Sequence, residues 1–293
     1  MPRGQPFTAL CRLAAGLSEP LTADLHLHTT ASDGDYTPSQ VVALARQARL
    51  RAIAITDHDT LAGLESAVEA AVGGLEVIPG VEMSAVFGGR EVHILGYFVR
   101  QDDRRLVEHF RVVCERRRER FRAFVSRLAA AGVTFPDGMA ELEAERSTSL
   151  GRRHLAGLLV RTGAARNRYT AFQRFILPIS PDVPADHLTP AADVIRLVRD
   201  AGGVCSLAHP PEGDEEQLLT GLRDLGIHAV EAAFPASTVA RTVRLRGIAR
   251  NLGLAVTGGS DCHGPEAVGR AVGARGVTRD ELAALRRLTG SAE

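Results

Sequence analysis

From about residue 22 the chain alternates short apolar runs with amphipathic stretches, the rhythm of strand–helix units. The candidate strands are ADLHLH, RAIAIT, LEVIP, EVHILGYF, GVCSLA, HAVEAA and LAVTG, with AVGARGV as a further possibility. Helical patterns lie between them. PSQVVALARQA opens on a proline suited to a first helical turn. LAGLESAVEAA follows ITDHDT, whose Asp59 or Thr60 is placed to cap it. TPAADVIRLVRDAGG and TVARTVRLRGIARNLG both run out near glycine, a helix-stop signal.

Between about residues 100 and 189 the rhythm breaks. A long helical pattern, DDRRLVEHFRVVCERRRERFRAFVSRLAAAG, is followed by shorter ones and the Pro-rich stretch LPISPDVPADHLTP, with no obvious strand. This predicts a helical insertion whose Pro-rich segment returns the chain to the sheet. The expected organisation is an N-terminal extension (1–21), a first barrel part (22–99), a helical insertion acting as a substrate cap (100–189) and a second barrel part (190–293). The first residues read as a short extension rather than a signal peptide, because no convincing cleavage pattern follows their weak apolar centre.

Composition narrows the picture. With 293 residues and 45% hydrophobic content, the chain fits one large domain or one domain with an insertion. Zero formal net charge gives no global field for nucleic acid or anionic membrane, so anion binding must come from local arginines. No apolar run approaches the ~20 residues of a membrane span. Cys11, Cys114, Cys205 and Cys262 show no paired spacing, which points to a reducing compartment and a cytoplasmic location. All 35 basic residues are arginine. The absence of lysine excludes a Schiff-base lysine, a Walker-type phosphate loop and a carboxylated-lysine metal bridge.

The chemistry-bearing residues gather at predicted strand ends. They are His26 and His28 in ADLHLH, Asp33 in ASDGD, His58 in ITDHD, Glu82 in PGVEMS, His93 in EVHILGY, His209 in SLAHP, and Asp261 and His263 in GGSDCHG. Residues i and i+2 of a strand share a face, so His26 and His28 project together, with Asp24 on the same side. Six imidazoles and three carboxylates are too many for one ion. Borderline divalent metals take such mixed nitrogen and oxygen ligands, and a cluster of two or three of them performs hydrolysis, most often of phosphate esters.

The motifs HLHTTASDG, ITDHDT, PGVEMS, VHILGY, AHP and GSDCHG, in that order, resemble the PHP (polymerase and histidinol phosphatase) family of metal-dependent phosphoesterases. The resemblance implies an α/β fold, a distorted seven-stranded TIM-like (β/α) barrel with a helical insertion. Within the family the chain resembles the stand-alone bacterial branch, whose members dephosphorylate nucleoside 3′,5′-bisphosphates and trim short RNA from the 5′ end. GRRHLAGLLV resembles that branch's Gly-Arg-Pro-His motif, with Arg153 in place of proline. FQRFILPIS departs from the branch pattern, in which an acidic second position and a Gly-Lys-Pro turn are usual.

By this resemblance one ion is held by His26, His28, Glu82 and Asp261. Glu82 bridges to a second ion held with His93 and His209, and a third sits among Asp33, His58 and His263. Mn²⁺, Fe²⁺ and Zn²⁺ all suit these donors. A water between two cations then loses its proton near neutral pH and attacks phosphorus in line. Asp59 and His154 are the candidate acids for the leaving oxygen. Arg152 and His154 are the candidate substrate contacts, since arginine offers a bidentate fork to phosphate. The expected partners are a nucleotide or a short RNA, with no membrane and no obligate protein partner.

Several residues keep two readings. Asp57 orients an imidazole or serves as a turn residue, and Asp24 has the same ambiguity. Arg117 falls on the apolar face of the long helix, between Val113 and Phe121, where it needs an acidic partner or a substrate phosphate. Cys262 and Cys205 read as packing residues. His109, His187 and His228 read as structural or surface groups. Phe121, Phe124, Tyr169 and Phe172 are the insertion's few aromatic candidates for a base platform. The competing functions are a histidinol-phosphatase-like phosphomonoesterase, an amidohydrolase-type barrel and a non-catalytic metal-binding PHP module. The missing bridging lysine argues against the second, and the complete ligand set against the third.

Overall fold

The computed structural model describes residues 21–136, 139–140, 148–265 and 269–290. The expected N-terminal extension therefore lies outside the described residues except for Leu21. Strands β1 (Ala23–Leu27) and β2 (Ala52–Ile55) are buried along their whole length; β2 reads as an unbroken apolar run, whereas β1 alternates, with Asp24 and His26 on one face. They continue into β3 (Glu76–Phe87), β4 (Arg90–Tyr97), β5 (Thr189–Pro190), β6 (Val204–Leu207), β7 (Ala229–Ala233) and β8 (Ala255–Gly258). The sheet order is β1-β2-β3-β4-β6-β7-β8, with the two-residue β5 beside β3. Bridges from Leu27 to Cys262 and from Ala23 to Val277 bring the two ends together, so the seven-stranded sheet is a nearly closed barrel.

Two strand expectations change. LEVIP and PGVEMS belong to one strand, β3, which pairs in parallel with β2 over residues 76–79 and then antiparallel with β4 over residues 80–87. Gly88 and Gly89, both at positive φ, turn the chain between them, a two-residue hairpin turn that suits glycine. β4 also runs antiparallel to β6, so one barrel strand is reversed. AVGARGV contributes only the Val277 bridge and is no strand.

Helix ends follow local chemistry. In α1 (Pro38–Gln47) Thr37 and Gln40 form a capping box and Pro38 opens the first turn. In α2 (Leu64–Ala70) the N-cap is Gly63 and makes no side-chain bond, so neither Asp59 nor Thr60 caps it. Asp103 caps the long α3 (Arg104–Ala130) through the N–H groups of Arg105 and Leu106. Then come α4 (Arg152–Arg161), the short α5 (Arg168–Ala171), a π-helical turn over Phe172–Ile176, and α6 (Ala191–Asp200), α7 (Glu215–Asp224), α8 (Val239–Leu252) and α9 (Arg279–Arg287). The helices between β4 and β5 have their own apolar core, including Phe121, Phe124, Leu128, Leu155, Leu159 and Ile176.

Close approach of the chain ends in the barrel makes one glycine irreplaceable. A Cβ on Gly259 would stand inside contact distance of the His26 backbone, whereas one on Gly247 in α8 meets nothing within 4 Å. Gly259→Ala is expected to cost about 2–3 kcal/mol by forcing β1 and the β8 loop apart. Gly247→Ala is expected to be neutral or stabilising by up to about 1 kcal/mol, because alanine is the better helix former. Thermal melts of both variants check the pair, and equal melting temperatures would contradict this packing.

Candidate metal centre

Nine side chains converge at one end of the barrel. His26 lies in β1 and His28 one residue past it, on the same face. His58 follows β2, His209 follows β6, and Asp261 and His263 follow β8. His93 sits near the start of β4, because an antiparallel strand presents its first residues at the mouth where its neighbours present their last. Glu82 lies inside β3, just past the end of its parallel segment.

Glu82 is the hub. Its Oε2 lies 3.2 Å from His26 Nε2, 3.1 Å from His28 Nε2 and 3.2 Å from His58 Nδ1. Its Oε1 lies 2.9 Å from His93 Nδ1 and 3.0 Å from His209 Nε2. Asp261 Oδ1 lies 3.4 Å from His28 Nε2 and 3.7 Å from His26 Nε2, and also meets His263 Nδ1 at 3.2 Å. Asp33 Oδ1 faces His263, His58 and His28 at 3.3, 3.9 and 4.0 Å. Burial opposes charge on Glu82 and Asp33, yet the surrounding imidazoles hold both carboxyls well below the usual range. Burial pushes His58 down to about 3, while the carboxylates overcome burial at His93 and His263 and lift each to about 10.

This donor set fits divalent cations. His26 Nε2, both ring nitrogens of His28, His58 Nδ1 and Asp33 Oδ1 are buried without a hydrogen-bond partner, which is costly unless something else binds them. Ligand atoms lie within 4.8 Å of one another in three sets: His28, Asp33, His58 and His263; His26, His28 and Glu82; and His58, Glu82 and His93. Backbone strain marks the same place. Asp59, His209 and Asp261 have φ of 49°, 25° and 47°, a region that non-glycine residues avoid.

The surrounding contacts separate the two-way readings. Glu231, fully buried in β7, accepts from His26 Nδ1 at 3.0 Å and from the His209 backbone N–H at 2.7 Å. It thereby keeps the His26 proton on Nδ1 and leaves Nε2 bare toward Glu82. Sequence reasoning missed Glu231, although an acidic residue in the middle of HAVEAA was the available signal. Among the described residues Asp57 makes no hydrogen bond to an imidazole. It accepts from the Thr29 N–H and hydroxyl, each at 2.7 Å, and from the Ser32 hydroxyl at 2.6 Å, and so ties down the β1 loop. Asp24 accepts from the N–H groups of Ser260 and Gly273, at 2.9 and 2.8 Å, and so fixes the β8 loop to β1.

Arg117 finds its acidic partner in Asp59, at 2.8 Å from Nε, and also donates to Leu150 O and Ser84 Oγ. Burial opposes charge on Asp59, but Arg117 and the Ser84 N–H outweigh it and keep the carboxyl below its ordinary range. His154 accepts the Gly151 N–H at its Nδ1, 3.0 Å away, and so closes the start of its own helix.

A cavity of about 190 Å³ lies between the cluster and the helices over it. Its barrel wall includes Asp33, His58, His93 and His263, and its other wall includes Arg117, Arg120, Arg152 and His187. His154 is not among the lining residues. Phe121, Phe124 and Phe172 line the cavity, whereas Tyr169 is largely exposed and does not. His187, expected to be structural or on the surface, is buried in the cavity wall. Among the described residues the free cysteines Cys114, Cys205 and Cys262 are all buried. No helix of the described residues is long and apolar enough to cross a membrane.

Comparison with known proteins agrees with this geometry. A model of the PHP domain family matches residues 24–172, and one of a PHP-associated region matches residues 244–287. The chain is 31% identical over 256 residues to a 3′,5′-nucleoside bisphosphate phosphatase of Chromobacterium violaceum, covering 85% of this chain and 90% of that protein. It is 34% identical over 253 residues to a phosphoribosyl 1,2-cyclic phosphate 1,2-diphosphodiesterase of Eggerthella lenta, covering 82% and 94%. Among solved structures it is similar to one described as an amidohydrolase from Chromobacterium violaceum with bound sulfate and no metal. The TM-score is 0.80 and the identity 28%, over 91% of this chain and 96% of that one.

Proposed function

The chain belongs to the PHP family and is a metal-dependent phosphoesterase, a hydrolase of phosphate esters. From that premise we propose that it removes phosphate from nucleoside 3′,5′-bisphosphates and acts on the 5′ ends of short oligoribonucleotides. The observation that carries this reading is the Glu82 hub, with five imidazoles on its two oxygens, opening into a small arginine-lined cavity.

In this reading His26, His28, Glu82 and Asp261 would hold one ion, Glu82, His93 and His209 would hold a second, and Asp33, His58 and His263 would hold a third. Mn²⁺, Fe²⁺ and Zn²⁺ all suit these donors. Bound divalent ions supply an acidified water and neutralise phosphate oxygens. The protein's own groups supply the rest. Glu231 holds the His26 ring in the tautomer that presents Nε2. Arg152, in the cavity wall and 3.5 Å from Glu91, binds a substrate oxygen. The insertion of residues 100–189 is the cap that limits substrate size and excludes water. Arg117 keeps Asp59 ionised, so Asp59 is no proton donor in this reading, while His154 caps α4 through Nδ1 and keeps Nε2 as the candidate acid for the leaving oxygen. Arg117, with a partner at every nitrogen, joins the cap to the barrel before it serves any substrate. The buried free thiols suit a reducing cytoplasm.

Phosphate release from adenosine 3′,5′-bisphosphate by Mn²⁺-loaded protein tests the reading, with Asp261→Asn as control. Release is expected in the native protein and a loss of about a hundredfold or more in the variant. No release with metal bound would contradict the nucleotide assignment. Cleavage of a ribose cyclic phosphate diester without monoester hydrolysis would move the substrate toward that of the Eggerthella lenta relative.

A further inference from the structure

Three side chains outside the ligand set join the cluster to the helical insertion, and one of them is the arginine that replaces the motif proline. Proline at position 153 would offer no side-chain donor. Arg153 instead donates from Nε to Asp33 O at 3.2 Å, and its Nη2 lies 3.4 Å from Asp35 Oδ2. Arg168, in α5, meets the same carboxylate with both ends of its fork, Nη1 to Oδ2 and Nη2 to Oδ1, each at 2.6 Å. A lone surface ion pair contributes little, but a bidentate fork and a shared carboxylate are the arrangements that do contribute.

Asp35 stands where three segments meet. Its backbone N–H donates to His263 O at 2.7 Å, and a Cβ on Gly264 would stand inside contact distance of its carboxylate. Asp33, two residues before it, faces His263 across the cluster at 3.3 Å. The β1 loop that carries Asp33 and Asp35 is held from two sides. Asp57 of the barrel fixes its root through Thr29 and Ser32. The insertion fixes its tip, where the Ser149 N–H donates to Ala31 O at 3.4 Å and Arg153 to Asp33 O. Gly151 leaves room beside the ligand itself, since a Cβ there would stand 3.2 Å from Asp33 Oδ2. By contrast, His26 and Glu82 stand on strands, and Glu231 fixes the His209 backbone from within the barrel.

We infer that Asp35, Arg153 and Arg168 form a latch that positions Asp33 and His263, so that the ion among Asp33, His58 and His263 is bound tightly only while the insertion is seated on the barrel. The inference rests on the reading of the cluster as a metal centre. The three are positioning residues that act through the ligands. A ligand carried on a turn must be ordered when its ion binds, and the latch supplies that order beforehand. The coupling is reciprocal: the same ion, once bound, favours the seated insertion over the open one.

The test is an equilibrium titration of metal-free protein with Mn²⁺, followed by electron paramagnetic resonance and without substrate. Asp33→Asn identifies the equivalent bound at this site as the one it removes. Asp35→Asn and Arg153→Met are each expected to weaken that equivalent by about tenfold or more, the scale of losing a residue behind a metal ligand, and to leave the others unchanged. Arg153→Lys should restore part of the loss. In phosphate release, the Mn²⁺ concentration for half-maximal rate should rise by the same factor, with kcat recovered at saturating Mn²⁺. Variants that bind every equivalent as native protein does would overturn the latch. Equal weakening of all equivalents would also overturn it and make the three residues structural. Because binding is read without substrate, a wrong nucleotide assignment leaves these titrations to decide the latch. Native protein that binds no Mn²⁺ would overturn the metal-centre reading and the latch together.

Discussion

Replacing Glu82 by glutamine is expected to lower kcat/KM for phosphate release by about a thousandfold or more, with loss of bound metal. Substituting even a residue behind a metal ligand typically costs about 10–100-fold, and a carboxylate shared between ions should cost more. The geometry explains why. Glu82 is 1% exposed, and its two oxygens face opposite halves of the cluster, His26, His28 and His58 on one side and His93 and His209 on the other. Glutamine keeps the shape but turns one oxygen into an NH₂ that cannot ligate, and it removes the charge that offsets the ions. The buried ring nitrogens on that side then have neither cation nor acceptor. Metal content by elemental analysis is measured alongside kinetics. Near-native turnover with a full metal complement would refute the proposed bridging role.

Arg117→Met is expected to destabilise the fold by about 3–5 kcal/mol, because it leaves the fully buried Asp59 without its counter-charge. At this chain size that is a fall in melting temperature on the order of 10 °C. The sign with pH is specific. In the native protein the Asp59 carboxyl is held below its ordinary value, so its contribution is present above the unfolded pKa and is lost as pH falls through the folded one. In the variant burial acts unopposed by Arg117 and favours the protonated acid. Stability of the variant then declines as pH rises above the unfolded pKa, so the gap from native protein widens between acid and neutral pH. Adding Asp59→Asn should recover a large part of the loss at neutral pH. A double variant no more stable than Arg117→Met would show that packing of the methylene stem, and not the ion pair, carries the effect.

Arg117 also illustrates what could be read early. Its place on the apolar face of α3 already required a counter-charge, but an unidentified acidic partner and a substrate phosphate satisfied that requirement equally on paper. The choice depended on how α3 lies across the barrel mouth. The β3–β4 hairpin was hidden for a different reason. Glu76–Phe87 contains the turn-like pair Pro79–Gly80, which divides the apolar pattern although the strand continues, and strand direction leaves no periodic trace. His93 was legible as a ligand candidate by type, yet its place at the start of a reversed strand followed only from pairing on both sides. Glu231 carried a visible signal, and Arg120 and His187 carried almost none. A basic residue in an arginine-rich helix and a histidine in a Pro-rich linker look like solvated groups until the chain returns over them.

By itself the sequence determined the alternating elements, the interrupting helical stretch and the nine candidate ligands, because these follow from local periodicity and from polar residues placed where apolar strands end. Only the tertiary structure decided which of those residues gather on Glu82 and which carboxylates hold loops rather than imidazoles. Those outcomes depend on contacts between residues as far apart as His26 and Glu231, whose meeting is set by barrel closure and not by anything in their neighbouring sequence.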